Sequence, residues 1–225
     1  MDVVLCARGG SSRVKKKNVR DLGGKPLISH SIEFAKKLHF VGEIHVNSDD
    51  DEILRIAKDH NCSNYRRPDK LGSGDVFVVD VIREMIVQKG IEERNFIVMF
   101  PTVPLRMVED FEAGYQLFRD MNFSKQVISV SAAPYPYQVS LKLKNNMVSP
   151  RFPKHYLKST RHTDYETLYH ANYSFVFSNG STLLNNKTLI EHNAHAIETH
   201  PTSSIDIDDE FQFTIAEALY EKLFP

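Results

Sequence analysis

Two short runs of this chain are apolar at every position rather than at every second one: Val3-Val4-Leu5-Cys6-Ala7 and Phe96-Ile97-Val98-Met99-Phe100. A strand with one wet face alternates apolar and polar residues. A strand that is apolar throughout must be covered on both faces, as in a parallel sheet flanked by helices. The segments between such runs carry helical spacing. Leu27 to Leu38 has Leu27, Ile28, Ile32, Phe34, Ala35 and Leu38 as its apolar set, with Lys36 and Lys37 late. Glu52 to His60, Asp75 to Gln88 and Glu109 to Met121 repeat the pattern, and strands are expected at Glu43 to Asn47, Asn95 to Phe100 and Gln126 to Ser131. Strand and helix thus alternate, which implies an α/β fold with a mainly parallel sheet.

The alternation breaks after Ala132. Pro134, Pro136, Pro150 and Pro153 punctuate the next stretch, and a candidate strand at Val139 to Leu143 precedes an Asn145-Asn146 turn. This reads as a β-rich excursion at about 133–170 from a single domain spanning 1–225. Beyond it the pattern predicts a strand at Asn172 to Phe177, a short helix at Thr188 to His192 and a strand at Ala194 to Glu198. A last strand end at Ser204 to Asp208 and a closing helix at Asp209 to Leu223 follow.

A net charge of -1 argues against a broad nucleic-acid-binding surface. Positive charge is local, between Arg8 and Arg20. Cys6 and Cys62 form no disulfide or zinc pattern, and Cys6 reads as a packed free thiol. No stretch approaches the ~20 apolar residues of a membrane span. The N-terminal apolar run is too short for a signal peptide, so a cytoplasmic protein is expected.

The first apolar run opens into Arg8-Gly9-Gly10-Ser11-Ser12-Arg13 and then Lys15-Lys16-Lys17-Asn18. Glycines let backbone N–H groups approach a ligand, the hydroxyls donate, and the cations gather at one place. Arg8, directly after a buried strand, is poorly placed to reach bulk solvent. The loop has neither Walker A nor dinucleotide-fingerprint spacing and reads as a triphosphate-binding loop, or as a polar turn whose lysines are solvated. Asp206-Ile207-Asp208 is the second motif. In extended chain its carboxylates share a face, an arrangement that suits Mg²⁺. The same stretch, with Asp209 and Gln212, also reads as a capping box for the closing helix. Pro101-Thr102-Val103-Pro104-Leu105-Arg106 ends a strand. His155, Arg161, His162, His170 and Asn172 match no zinc spacing and read as a polar pocket or as surface. No hydrolase elbow is present.

Several segments become specific only in their order: Ala7-Arg8-Gly9-Gly10-Ser11, Lys17-Asn18, Gly24-Lys25-Pro26-Leu27, Ser48-Asp49, Arg67-Pro68, Pro101-Thr102 with Pro104-Leu105-Arg106, and Ser204-Ile205-Asp206-Ile207-Asp208. Together they resemble the acylneuraminate cytidylyltransferase family, the CMP-sialic acid synthetases and their bacterial relatives acting on legionaminic or pseudaminic acid. The resemblance implies a Rossmann-like nucleotidyltransferase three-layer sandwich with a small dimerisation arm, and hence a homodimer. It implies transfer of CMP from CTP to a nonulosonic acid with Mg²⁺, releasing pyrophosphate, for surface glycan biosynthesis. Arg8, Lys17, Asp206 and Asp208 would be catalytic, the two aspartates holding Mg²⁺. Arg8, Gly9, Gly10, Ser11, Ser12, Arg13, Lys17, Asn18 and Arg67 would bind the nucleotide. Phe100, Thr102, Gln138, Arg161, His170, Asn172 and Tyr173 would meet the sugar.

The sequence departs from the family pattern mainly on the sugar side. Phe100 stands where glutamine is usual, Val103 replaces a common serine, Gln138 stands for a lysine, and His170-Ala171-Asn172-Tyr173 replaces arginine-x-asparagine-glycine. Ser12 takes a lysine position, and Gly74-Asp75-Val76-Phe77-Val78 replaces an Asp-Thr stretch. These changes favour a relative of sialic acid as substrate. They also admit an altered family member that only binds nucleotide or sugar, or a transferase for another sugar acid such as Kdo.

Overall fold

The computed structural model describes residues 1–11, 13–156, 161 and 164–224. Along the chain run β1 (Asp2–Cys6), β2 (Asp21–Leu22), β3 (Lys25–Pro26), α1 (Leu27–Lys36), β4 (Ile44–Ser48), α2 (Asp51–Asp59), β5 (Ser63–Arg66), α3 (Val78–Lys89) and β6 (Asn95–Met99). Then come α4 (Val108–Asp120), β7 (Val127–Ala132), β8 (Leu141–Lys144), β9 (Met147–Pro150), α5 (Pro153–Tyr156), β10 (Tyr169–Asn179), α6 (Gly180–Asn185), β11 (His195–Glu198) and α7 (Glu210–Leu223).

The main sheet has seven strands in the order β11-β7-β10-β6-β1-β4-β5. The pairs β1/β4, β1/β6, β4/β5 and β7/β11 are parallel, and β10 runs antiparallel to β6 and β7. The sheet is therefore mainly parallel, as the apolar runs require. Alternate residues of β1 serve opposite faces. Val3 and Leu5 join Ile28, Ile32, Ile53 and Phe111 on the side of α1, α2 and α4. Val4 joins Val79, Ile82, Met85 and Leu183 on the side of α3 and α6. Three layers result. β8 and β9 form a separate hairpin off this sheet, turning at Asn145 and Asn146 with φ of 49° and 61°. Two consecutive left-handed residues are what a two-residue hairpin turn needs.

Three expectations need correction. Thr188 to His192 is not helical; the helix there is α6, started when Asn179 accepts from Thr182 N. Ser204 to Asp208 does not end a sheet strand. A 3-10 turn spans Pro201–Ser204, and the extended 205–208 segment is held by one backbone bond, Ile207 N to Thr102 O at 2.8 Å. The helix expected from Asp75 begins at Val78, because 73–76 turn back over Arg8.

A third, small core fixes the 205–208 segment. Ile207 is fully buried with Val14, Leu22, Leu27, Phe213 and Ala216. Alternation then turns its neighbours Asp206 and Asp208 to the opposite side. Asp209 caps α7 in the expected capping box with Gln212, leaving Asp206 and Asp208 free of that duty.

Candidate active site

The carboxyl ends of β1, β4 and β6 open at one edge of the sheet, where ligands of such folds bind. The loop after β1 is folded onto the β4 turn. Gly9 N donates to Asp49 Oδ1 at 2.8 Å, and Asn18 Nδ2 donates to Arg8 O at 2.8 Å. Gly9 has no space for a side chain: a Cβ there would lie 2.5 Å from Asp50 Oδ2. Asp50 is also the cap of α2, accepting from Glu52 N and Ile53 N. Gly9→Ala is therefore expected to push Asp50 off that cap. It should cost about 1–2 kcal/mol, a Tm loss of roughly 2–8 °C. A thermal melt that matches the wild type would show that the loop yields without cost.

Gly10 has nothing within 4 Å of a Cβ position, and Ser11 is half-buried beside it. Ser12 lies outside the described residues. Arg8 is exposed, contrary to the sequence expectation, yet its guanidinium lies under the 73–76 turn; a Cβ on Gly74 would be 2.8 Å from its Nη1.

Cations and carboxylates meet across this edge. Lys17, with its side chain only 12% exposed, donates from Nζ to Ile207 O at 2.6 Å and lies 3.5 Å from Asp208 Oδ1. Arg13 Nη2 is 3.1 Å from the same oxygen, from a far more exposed position. Asp206 Oδ1 is buried with no hydrogen-bond partner. Burial, with the charge of Asp208 beside it, pushes the Asp206 carboxyl above the ordinary range; Thr102, Lys17 and Arg106 oppose the rise. Asn18 Oδ1 is likewise buried without a partner.

Two cavities share the wall of Val78, Phe100 and Thr102. One, about 240 Å³, is lined by Arg8, Lys17, Asn18 and Arg67. Arg67 is buried and donates to Asn47 Oδ1 and O at 2.9 and 3.1 Å. Cys6 also lines it, but burial pushes that thiol up to about 11, so it is no nucleophile at neutral pH. The other cavity, about 400 Å³, is lined by Asp206 and Asp208 together with Phe77, Tyr173 and Leu189.

Not all the residues named from the sequence gather here. Arg8, Lys17, Asn18, Arg67, Phe100, Thr102, Tyr173, Asp206 and Asp208 do. Asn172 does not. It is buried, its Nδ2 donates to Ser131 Oγ and Thr199 Oγ1, and its Oδ1 accepts from Ser174 N. His170 is an exposed residue of β10, Gln138 lies in the turn before β8, and Arg161 is on the excursion; none lines either cavity. Leu189 carried no signal in the sequence, Phe77 stood out only as part of the stretch that departs from the family pattern, and Arg106 had no role assigned. That arginine is buried and donates to Phe100 O, Ser31 Oγ and Ser174 O; burial pushes it down to about 9, so it is charged at neutral pH. The one cluster among the described residues with metal-like spacing, Asp2, Glu43 and His45, is at the opposite end of β1. There Arg94 already pairs with both carboxylates.

A family model described as Cytidylyltransferase matches residues 3–133, which include β1, its loop and β6. The chain belongs to the cytidylyltransferase family. It is 29% identical to a pseudaminic acid cytidylyltransferase of Campylobacter jejuni, over 97% of this chain and 95% of that one. It is 25% identical to an N-acylneuraminate cytidylyltransferase of Escherichia coli, over 97% of this chain and 52% of that one. Among solved structures, a CMP:2-keto-3-deoxy-manno-octonic acid synthetase complexed with CTP shares the fold, with a TM-score of 0.72 at 19% identity over 99% of this chain and 98% of that one. No helix among the described residues is long and apolar enough to cross a membrane.

Proposed function

We propose that this cytidylyltransferase transfers CMP from CTP to the anomeric hydroxyl of a nonulosonic acid, a sugar acid of the sialic acid type. The observation that carries the reading is the shared wall. A cationic cavity shaped by the β1 loop and a cavity edged by two carboxylates meet at Phe100 and Thr102, so a triphosphate in the first presents its α-phosphorus to a hydroxyl in the second. In the reaction the anomeric oxygen bonds to the α-phosphorus. The bond from that phosphorus to the bridging oxygen of the β-phosphate breaks, pyrophosphate leaves with the electron pair, and the hydroxyl proton is released.

In this reading Arg8 and Lys17 hold the triphosphate and stabilise charge that develops on the leaving pyrophosphate. Gly9, Gly10, Ser11, Ser12 and Arg13 complete the loop around it. Asn18 offers its unpartnered Oδ1 to a nucleoside donor, and Arg67 lies toward the base. Asp206 and Asp208 fit Mg²⁺: they are hard oxygen donors two residues apart, and one oxygen is buried with nothing bonded to it. Bound there, Mg²⁺ would supply charge neutralisation and orientation of the phosphate oxygens. The excursion exposes Tyr135, Leu143, Met147 and Val148, from 63% to 73% of each, an apolar surface that suits a homodimer arm. Arg161 is the cation proposed for the sugar carboxylate; it is carried on that excursion with Gln138 and His170, and none of the three lines either cavity of this chain.

Pyrophosphate release from CTP with Mg²⁺, measured across sialic, legionaminic, pseudaminic and Kdo acids, tests this. Release is expected with at least one nonulosonic acid and none without a sugar. Tight CTP binding with no release for any acid would leave only a nucleotide-binding protein.

A further inference from the structure

We propose that Arg106 is a positioning residue for cytidylyl transfer: from outside both substrate cavities it sets the wall they share and the bulge that carries Tyr173. This rests on the cytidylyl-transfer reading above and adds a residue to it.

Arg106 lines neither cavity. It is buried, and its three bonds reach three separate elements. Nη1 donates to Ser31 Oγ of α1 at 2.9 Å, Nη2 to Phe100 O just past β6 at 2.5 Å, and Nε to Ser174 O of β10 at 3.2 Å. Phe100 O also accepts from Val103 N at 3.2 Å, the bond that closes the 100–103 turn. Arg106 therefore holds that turn at its first residue. Thr102, in the same turn, accepts from Ile207 N at 2.8 Å through its carbonyl and favours the charged form of Asp206. A run of hydrogen bonds thus leads from the guanidinium to the shared wall and on to the acidic segment.

The bond to β10 is the second observation. Ala171 pairs with Val130 and Val176 with Ile128, so residues 172–175 stand opposite Ser129 alone. Backbone groups in such a bulge lose their ladder partners and need others. Ser174 N donates to Asn172 Oδ1, Phe175 N donates to Ser129 Oγ, and Ser174 O is left to Arg106. Tyr173, held between these bonds, has φ of 57°, in the left-handed region that a bulky side chain resists. It meets Phe100 edge to face, with ring centroids 5.7 Å apart at 82°. Arg106 thus fixes the backbone on both sides of that pair, at Phe100 and next to Tyr173.

Packing alone does not call for arginine here. All three acceptors are neutral oxygens, and a buried charge costs more than an apolar side chain of similar length. What the guanidinium adds is a rigid planar fork that serves three acceptors in fixed directions. Lysine keeps the charge, but its single ammonium cannot span the three. The nucleotide has independent supports in Arg8, Lys17 and Asn18 and in Arg67, which is tied to Asn47. Loss of the fork should therefore disturb the transfer step and leave CTP binding in place.

The test uses the full chain with Mg²⁺, CTP and whichever of the four acids supports release in the wild type. Arg106→Lys should lower kcat by about 10- to 100-fold, the effect of misplacing reacting groups by an ångström or less, and raise KM for the acid, with the calorimetric Kd for CTP unchanged. Ser31→Ala, which removes one acceptor only, should lower kcat by about 2- to 10-fold, the worth of one hydrogen bond, with the same unchanged Kd. Arg106→Lys with the kcat of the wild type would overturn the proposal, because the fork would then be dispensable. A CTP affinity that falls as far as kcat would also overturn it, because Arg106 would then only hold the core together. If Arg106→Lys does not fold, Ser31→Ala decides, and a wild-type kcat in that variant overturns the proposal. Each of these outcomes leaves cytidylyl transfer intact. CTP binding by the wild type without pyrophosphate release for any acid would overturn the function itself, and this inference with it.

Discussion

Replacing Asp206 with asparagine is expected to reduce metal-dependent pyrophosphate release from CTP by at least about 1,000-fold, while the apo protein stays as stable as the wild type or becomes more so. The two effects separate because the carboxylate is poorly served by its own fold. Its Oδ1 is buried with no partner, Asp208 repels it, and its proton is held above the ordinary value of 3.8. A carboxyl whose folded pKa is raised binds its proton more tightly in the folded than in the unfolded chain. Its ionisation therefore costs nothing at pH below about 3.8 and destabilises increasingly as pH rises through the folded value. Melts of wild type and Asp206→Asn without metal, from pH 4 to 8, should show a Tm difference that opens as pH rises and then levels. A difference independent of pH would mean that Asp206 is not a strained carboxylate waiting for a cation. Asp208 gives the control for the alternative reading of the motif. Since Asp209 caps α7, Asp208→Ala should lose turnover without unfolding that helix.

Much of this site was legible because its residues lie in short segments whose physical demands are local. The run Val3 to Ala7 has no polar residue to offer water, so it had to be central, and whatever followed it had to emerge at the carboxyl edge of the sheet. The Asp209–Gln212 capping box could be read from spacing alone, and recognising it freed Asp206 and Asp208 for another role. Other features depend on contacts that no local pattern encodes. β5 alternates exposed and half-buried residues at the sheet edge, with no apolar run to mark it. The Thr188 to His192 stretch has helical composition, but Asn179 starts α6 earlier and the chain after it bends away.

The side chains proved harder to read than the elements. Asn172 is a polar residue in an apolar strand, and polarity alone does not say whether an amide faces a substrate or its own neighbours; here the partners are the adjacent Ser174 and, 41 and 27 residues away, Ser131 and Thr199. Arg106 ends a recognisable segment, yet its role depends on three acceptors from α1, the end of β6 and β10. Tyr173 gives no sign of its backbone angle in the letters around it. What could have raised suspicion is the combination of Phe100 and Tyr173, two aromatic residues at positions where the resemblance leads one to expect a polar group and a glycine.

The second large effect is expected at Lys17. Lys17→Met should lower kcat/KM for CTP by about 100- to 1,000-fold, in line with losing one preorganised electrostatic donor. The variant keeps the apolar stem and removes only the ammonium, which now ties the β1 loop to the acidic segment through Ile207 O and Asp208. Ile207 is fully buried, so its carbonyl would be left without a donor, at a stability cost of about 1–3 kcal/mol. Arg13→Met is the discriminating partner experiment. Arg13 approaches the same Asp208 oxygen, at 3.1 Å against 3.5 Å for Lys17, but its side chain is 64% exposed and that of Lys17 is 12%. An exposed ion pair is screened and worth little to stability, so Arg13→Met should melt at the same temperature as wild type and lose less kcat/KM for CTP than Lys17→Met. If proximity to Asp208 were what counted, the two variants would fall together. If burial and the bond to Ile207 O count, only Lys17→Met collapses, and titrating salt should weaken CTP binding to the wild type less than a site built on surface charge would allow.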